Sequence, residues 1–316
     1  MNQLKYCYAV KHNNENVRAG SRSGGVFTAV SDIVLSDGGA VYGCVMTEDF
    51  RQAKHIRAVT AEDRNRMRGS KYVQSVMGNC YSLCADDLKN GMLVLFTGTP
   101  CQIEALNCFL SAKNINTEKL ITMDIVCHSV VSPKVWEKYI NWFSDGRHVD
   151  SVDFRDKKQF GWTAHYETIV TDGKAESSNN YAKLFYRNVA YPLHCFSCYF
   201  KTTDRVSDIT IGDYWGIDII DPDFYDDKGT SLVMLNTSKG ENYFFSCKDS
   251  LIYTKHLLCD SMQPPFDHNY HIPKNRKRFF KDLDKLDFSE LIKKYVNPKK
   301  TFSYSLINKI AALFKR

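Results

Sequence analysis

Five consecutive apolar residues, Met92-Leu93-Val94-Leu95-Phe96, run straight into the turn Thr97-Gly98-Thr99-Pro100 and then into residues 101–110, CQIEALNCFL. A short apolar run bounded by a turn reads as a buried strand. The segment after it fits an amphipathic helix, and proline is well placed in a first helical turn. The chain therefore contains a strand–turn–helix unit, and others can be read beside it. Ser23-Gly24-Gly25 precedes Val26, Phe27, Val30, Ile33 and Val34 at helical spacing, with Ser23 as the expected N-cap and Gly38 or Gly39 as the stop. Residues 40–45 then read as a strand. A third strand is expected at 121–126, ending at Cys127-His128, and a fourth at 208–212, running into Asp213-Tyr214-Trp215-Gly216. The polar stretch 171–180, TDGKAESSNN, reads as a loop or hairpin tip.

Strands alternating with helices argue for an α/β fold. The expected architecture is a mixed sheet with flanking helices, in two closely packed lobes (1–90 and 91–265) followed by a basic helical tail (266–316). Ligands in open α/β sheets sit beyond the carboxyl ends of the strands. Cys101 and Cys127 both fall just past the end of a buried strand, so parallel strands would put both thiols on one rim.

Composition narrows the function classes. With 43% apolar and 25% charged residues the chain is an ordinary globular one, neither disordered nor collagen-like. No apolar run approaches the ~18 residues of a membrane-spanning helix. The first residues lack a signal-peptide core, so a cytoplasmic location and reduced thiols are expected. Eleven cysteines are then an excess that calls for a metal, a cluster or a redox task. The net charge of +6 belongs to the tail: residues 273–316 hold 13 Lys/Arg against 4 Asp/Glu. A nucleic-acid footprint over the whole surface is not supported. Residues 303–316, SYSLINKIAALFKR, form a basic amphipathic helix pattern that would either contact the inner membrane face peripherally or pack on the protein itself.

Cys195-Phe196-Ser197-Cys198 is a lone C-x-x-C pair. Four ligands complete a tetrahedral site, and Cys101 and Cys127 are the best candidates to join it. Four thiolates suit zinc or a 4Fe-4S cluster. Cys7, Cys44, Cys80, Cys84, Cys108, Cys247 and Cys259 read as structural. Ser23-Gly24-Gly25 opens a helix, where bare N–H groups favour phosphate, although an ordinary helix start has the same look. Thr97-Gly98-Thr99 offers hydroxyls beside a thiol. Arg68-Gly69-Ser70-Lys71-Tyr72 is either an anion cradle or a solvated loop. His128 is a candidate proton donor or hydrogen-bonding neighbour, and Asp213 and Trp215 are candidate contacts to a ring system or packing residues.

The set SRSGGVFTAVSDIVLSDGGAVYGCV, RGSKYVQS, VLFTGTPCQIEAL, DIVCHSVVSPKVW, FRDKKQFGW, CFSC and SDITIGDYWGI resembles the coenzyme F420 hydrogenase/dehydrogenase beta-subunit family, in order, over residues 8–236. The resemblance implies a flavoprotein with FAD and a 4Fe-4S cluster. Such a protein exchanges electrons between a one-electron carrier such as ferredoxin and a two-electron small-molecule acceptor, coenzyme F420 in some relatives. It implies Cys101, Cys127, Cys195 and Cys198 as cluster ligands; His128, directly after Cys127, is the candidate catalytic residue by its position. It also implies FAD contacts at Ser23, Gly24, Gly25, Ser70, Lys71, Tyr72, Thr97, Gly98, Thr99, Gln102, Asp213 and Trp215. Residues 1–90 would then carry the flavin phosphates, and 91–265 the cluster and active site. The chain departs from the family in lacking a ferredoxin-like module of closely spaced cysteines. It also has Ser129 where glycine is usual, and Leu193-His194 where Pro-Ser is common. Electrons would then pass to or from a separate protein. Two competing readings are a zinc-stabilised binding module and an electron-transfer subunit without a substrate site of its own.

Overall fold

The computed structural model describes residues 5–297, so the membrane expectation for 303–316 lies outside the described residues. In chain order the strands are β1 (Tyr6–His12), β2 (Ala40–Met46), β3 (Ala53–Ala58), β4 (Val94–Gly98), β5 (Leu120–Ile125), β6 (Val149–Asp153), β7 (Glu167–Thr171), β8 (Lys174–Ser178), β9 (Ile209–Asp213), β10 (Ser231–Leu235) and β11 (Leu251–Leu257). Eight of them form one sheet in the order β11-β1-β10-β9-β5-β4-β2-β3, and β6-β7-β8 form a second. β2, β4, β5 and β9 are mutually parallel, whereas β3, β10, β1 and β11 are added antiparallel. The sheet is mixed, as expected, and strands from 1–90 and 91–265 interleave in it.

The parallel strands are apolar on both faces because both are covered. Val41, Leu95, Ile121 and Met123 face one side, where the helices Val26–Ser36 and Ser238–Ser246 pack. Ala40, Tyr42, Val94, Phe96 and Leu120 face the other, against the helices Cys80–Lys89 and Pro100–Ala112. Alternation of side chains along a strand produces this split. The β7–β8 hairpin turns at Asp172 and Gly173, both with positive φ (48° and 76°), the geometry of a two-residue type I′ turn. Of the polar 171–180 stretch only Asp172 and Gly173 are the hairpin tip; Lys174–Ser178 is strand β8, and Asn180 starts the next helix.

A second core lies over β6–β8, built around Trp136, Tyr139, Phe154, Tyr181 and Phe185. Phe279, Leu283, Phe288, Leu291 and Tyr295 complete it. The tail expected to stand apart from residue 266 is therefore, over residues 276–296, helical and built into this core. Its lysines and arginines lie on the outer side of an amphipathic pattern, and that basic face masks the buried one in the sequence.

Candidate functional site

The parallel register sets the site. Gly98 lies opposite Asp124, and Ile125 opposite Ile211, so β4, β5 and β9 end on a common rim. Cys101 follows β4 in the first turn of helix Pro100–Ala112, and its Sγ lies 3.1 Å from Thr99 Oγ1. Gln102 Oε1 reaches back to accept from Thr99 N (2.9 Å), and Gln102 Nε2 donates to Ser75 (2.8 Å). This capping arrangement fixes the turn that presents Cys101. Thr97 Oγ1 donates to Tyr42 O (2.9 Å), and a Cβ on Gly98 would crowd Gln102. Cys127 follows β5. Cys195 sits in the single 3-10 turn Leu193–Ser197, and Cys198 leaves that turn in extended conformation, its N–H held by Asn269 Oδ1 at 3.0 Å.

These four thiols, from three separate segments, feel one another. Burial pushes the Cys127 thiol far up, and Cys101, Cys195 and Cys198 add to the rise. Burial likewise raises Cys101, opposed by its hydrogen bond to Thr99 and reinforced by Cys198 and Cys195. Lys201 supplies a cation: its Nζ donates to His128 O (3.0 Å) and stands 3.6 Å from the centroid of the Tyr270 ring. His128 Nδ1 pairs with Tyr270 Oη at 2.9 Å, and burial with the charge of Lys201 pushes the imidazole down to about 4. Among the described residues, no three His, Cys, Asp or Glu side chains stand close enough to enclose a single metal ion.

A brace holds the rim together. Arg205 donates to Asp124 (2.7 Å), to Ile125 O (3.1 Å) and to Phe200 O (3.0 Å). It ties the chain after Cys198 to the strand before Cys127. The Arg205 and Asp124 side chains are 2% and 0% exposed.

Beside the thiols lies a buried polar centre. Asp213, at the end of β9, accepts from Ser23 Oγ and from Arg155 (2.8 Å), and it faces Arg22 Nε at 3.5 Å. Burial opposes its ionisation, but Arg22, Arg155 and Ser23 outweigh that and hold the carboxyl below its ordinary value. Arg155 also approaches Tyr72 Oη (3.5 Å) and lies 5.1 Å from the centre of the Trp215 ring, which stacks on Trp162. The structure thus brings Ser23, Tyr72, Asp213 and Trp215 together through Arg155. Thr97, Gly98, Thr99 and Gln102 gather around Cys101. Arg68 donates to Thr28 Oγ1 (3.0 Å), which lays the 68–72 loop along the first turns of helix Val26–Ser36.

Other expected residues have local duties. Gly25, not Ser23, is the N-cap, in left-handed conformation (φ 94°), because Ser23 turns away to Asp213. A Cβ on Gly24 would strike the carbonyl oxygen of Val10 and lie 2.8 Å from Ser231 N, so glycine is required there by close packing on β1 and β10. Lys71 Nζ donates to the carbonyls of Arg66, Met67, Arg68 and Gly69, which staples its own loop. Ser70 is half-buried in the same loop. Buried atoms near the site without a hydrogen-bond partner include Ser129 Oγ, Asp124 Oδ1, Trp162 Nε1 and Arg22 Nε, the last facing Asp213 as an ion pair.

The family model for the C terminus of the coenzyme F420 hydrogenase/dehydrogenase beta subunit matches residues 91–257, more than half of the chain. The chain belongs to this family. The matched region runs from the approach to β4 through β11 and holds all four rim cysteines, Arg155, Arg205 and Asp213; Ser23 and the 68–72 loop precede it. A chain of the F420-reducing [NiFe] hydrogenase complex from Methanosarcina barkeri, studied by xenon derivatization, has the same fold. The TM-score is 0.55 at 19% identity, over 89% of this chain and 90% of that one. No curated protein matches. Membership of this beta-subunit family gives the chain an oxidoreductase-related role. Among the described residues no helix is long and apolar enough to cross a membrane.

Sequence reasoning passed over Arg22, Arg155, Lys201 and Arg205. Arg22 and Arg155 stand inside quoted motifs, SRSGG and FRDKKQFGW, and a cation within a motif was the available signal. Lys201 and Arg205 act through non-local pairing, which leaves no local signature.

Proposed function

We propose that this beta-subunit relative is a flavin- and iron–sulfur-dependent oxidoreductase. It exchanges electrons between a one-electron carrier protein of the ferredoxin kind and a two-electron small-molecule acceptor, coenzyme F420 being one candidate. What supports the reading is that Cys101 and Cys127 follow two neighbouring parallel strands, and that Cys195 and Cys198 lie near enough to both to help raise their pKa values. Four thiols are the donor set of a 4Fe-4S cluster. A four-iron cluster is wider than a single ion, so its ligands stand farther apart than those of zinc.

For FAD, the buried Ser129 Oγ, without a hydrogen-bond partner, is a group a ligand would satisfy. The residues that would hold it are Arg22, Ser23 and Gly25 at the helix start, Ser70 and Tyr72 in the adjacent loop, the 97–99 turn, Gln102, and Asp213 with Trp215. Gly24 and Lys71 shape those segments from within. Bound FAD supplies the exchange between paired and single electrons. Arg155 and Arg22 keep Asp213 ionised and fix the polarity of the pocket. His128 and Tyr270 form a hydrogen-bonded pair beside Cys127 able to hold a proton at Nδ1 or Oη.

Anaerobic purification followed by a visible spectrum and iron, sulfide and flavin quantitation tests the reading. A brown protein with about four iron and four sulfide per chain, together with flavin, is expected. A colourless protein carrying one tightly bound zinc overturns it.

A further inference from the structure

The sheet places two of the four rim thiols and leaves the other two to be placed by something else. Cys101 and Cys127 follow neighbouring parallel strands, whereas Cys195 and Cys198 sit on and just after the 3-10 turn Leu193–Ser197, which is part of neither sheet. The brace of Arg205 fixes only the chain that leaves this turn. A second set of contacts comes from residues 269–276, beyond the region 91–257 that the family model matches. Residues 268–273 belong to no helix or strand, so side chains, not a backbone ladder, hold them against the rim.

Three residues make these contacts. Asn269 Oδ1 accepts from Cys198 N at 3.0 Å. Tyr270 Oη lies 2.9 Å from His128 Nδ1, and its ring carries the Lys201 ammonium, which donates to His128 O. Arg276 Nε and Nη2 both donate to Tyr191 O (2.9 and 2.6 Å). The Arg276 guanidinium also lies 4.5 Å from the centre of the Phe280 ring and 5.8 Å from that of Phe196, the residue inside the C-x-x-C turn. Tyr191 in turn packs on Phe196 (6.0 Å) and on Tyr270 (6.3 Å). One segment therefore touches the approach to the turn, the turn itself, the backbone of Cys198 and the residue after Cys127. Its far end is anchored, because Phe279 and Leu283 of the helix Arg276–Leu283 are buried in the second core.

We propose that residues 269–276 are a strap that positions the C-x-x-C turn against Cys127, with Asn269, Tyr270 and Arg276 as positioning residues. A turn without a sheet partner keeps conformational freedom that must be removed before its thiols can meet two fixed ones. Each strap contact ties the turn, or the 127–128 segment, to a chain anchored in the core. The strap's part in holding a cluster rests on the oxidoreductase reading; its hold on the turn does not.

The test exposes the full chain, purified anaerobically, to a ferrous-iron chelator and iodoacetamide together. Alkylation of Cys127, Cys195 and Cys198 is followed by peptide mass spectrometry against Cys108, which is exposed. Asn269 is exposed too, so Asn269→Ala loosens the strap without opening the core. It should speed alkylation of Cys195 and Cys198 about fivefold, the weight of one hydrogen bond in a local opening equilibrium. Asn269→Asp keeps an oxygen that accepts from Cys198 N and should restore the slow rate. Tyr270→Phe keeps the ring, loses the hydroxyl contact to His128 and should speed alkylation of Cys127. Cys84→Ala, in a separate core, should leave all three rates unchanged. A wild-type rate in Asn269→Ala or Tyr270→Phe, a failure of Asn269→Asp to restore the slow rate, or an equal rise in Cys84→Ala overturns the proposal. Iron and sulfide are counted on the same samples. A chain without iron in which Asn269→Ala still exposes the thiols removes the redox reading alone, and a loaded chain indifferent to Asn269→Ala removes the strap alone.

Discussion

Two sets of cysteines occupy this molecule, and burial alone does not tell them apart. Cys80 and Cys84 lie four residues apart on one helix, both buried among Tyr42, Phe96 and Leu106. Burial, with Asp87 and Cys80 nearby, pushes Cys84 up to about 12. Cys127 is raised first by burial too. The difference lies in the company each keeps. The neighbours of Cys84 are one helix and the apolar strand face beneath it. The neighbours of Cys127 are three thiols from other parts of the chain, Cys101 after the adjacent parallel strand and Cys195 and Cys198 from a 3-10 turn. Spacing along the sequence brings two sulfurs close on a helix, whereas chain segments far apart in sequence bring the other thiols near Cys127.

The largest effect that could break this contrast comes from the rim. Cys127→Ser should remove bound iron and the visible absorption, whereas Cys84→Ser should keep both; iron analysis and anaerobic spectra of the two variants decide it. Next in size is the brace. Arg205→Met leaves Asp124 charged and unpaired in the interior, and a loss of about 3–5 kcal/mol is expected in urea unfolding. Combining it with Asp124→Asn should recover part of that loss, and the variants that fold should show altered iron retention, which core variants of equal stability should not.

A smaller, pH-gated effect sits between core and rim. His55 stacks against Phe96, and its Nε2 meets Thr97 O at 3.1 Å. Burial pushes its pKa from 6.5 down to about 4. The folded state therefore binds fewer protons than the unfolded state in that window, and stability falls as pH drops from about 6.5 toward 4. His55→Gln should flatten that part of a stability-against-pH curve; an unchanged curve would refute the assignment. The smallest effect belongs to the core sulfurs: Cys84→Ala should cost about 1 kcal/mol in the same unfolding assay and leave iron content untouched.

Much of the rim was legible because its strands are short apolar runs closed by turns. The expected helix at 101–110 lies within Pro100–Ala112, and the expected strand at 121–126 is Leu120–Ile125. Those two elements alone place Cys101 and Cys127. Their parallel pairing was a condition that only the register could settle. The polar centre was harder to see. Arg155 meets Asp213 across 58 residues, and Tyr186 meets His165 across 21. Such partners share no periodicity. The glycines of Ser23-Gly24-Gly25 were visible, but the close approach of Gly24 to Val10 and Ser231 was not, since such a contact leaves no local signal in sequence. The basic C-terminal stretch misled in the opposite direction, since its charge concealed Phe279, Leu283 and Leu291.

The position of β1 has a consequence for how the molecule is made. Both of its partners, β10 and β11, are more than two hundred residues downstream. It cannot pair until they have been made, the kind of long-range closure that slows folding. β10 also pairs with β9, which flanks β5, so the rim gains its full support only after that closure. The segments that carry Cys101 and Cys127 would then be held in place only once β1 has found its distant partners.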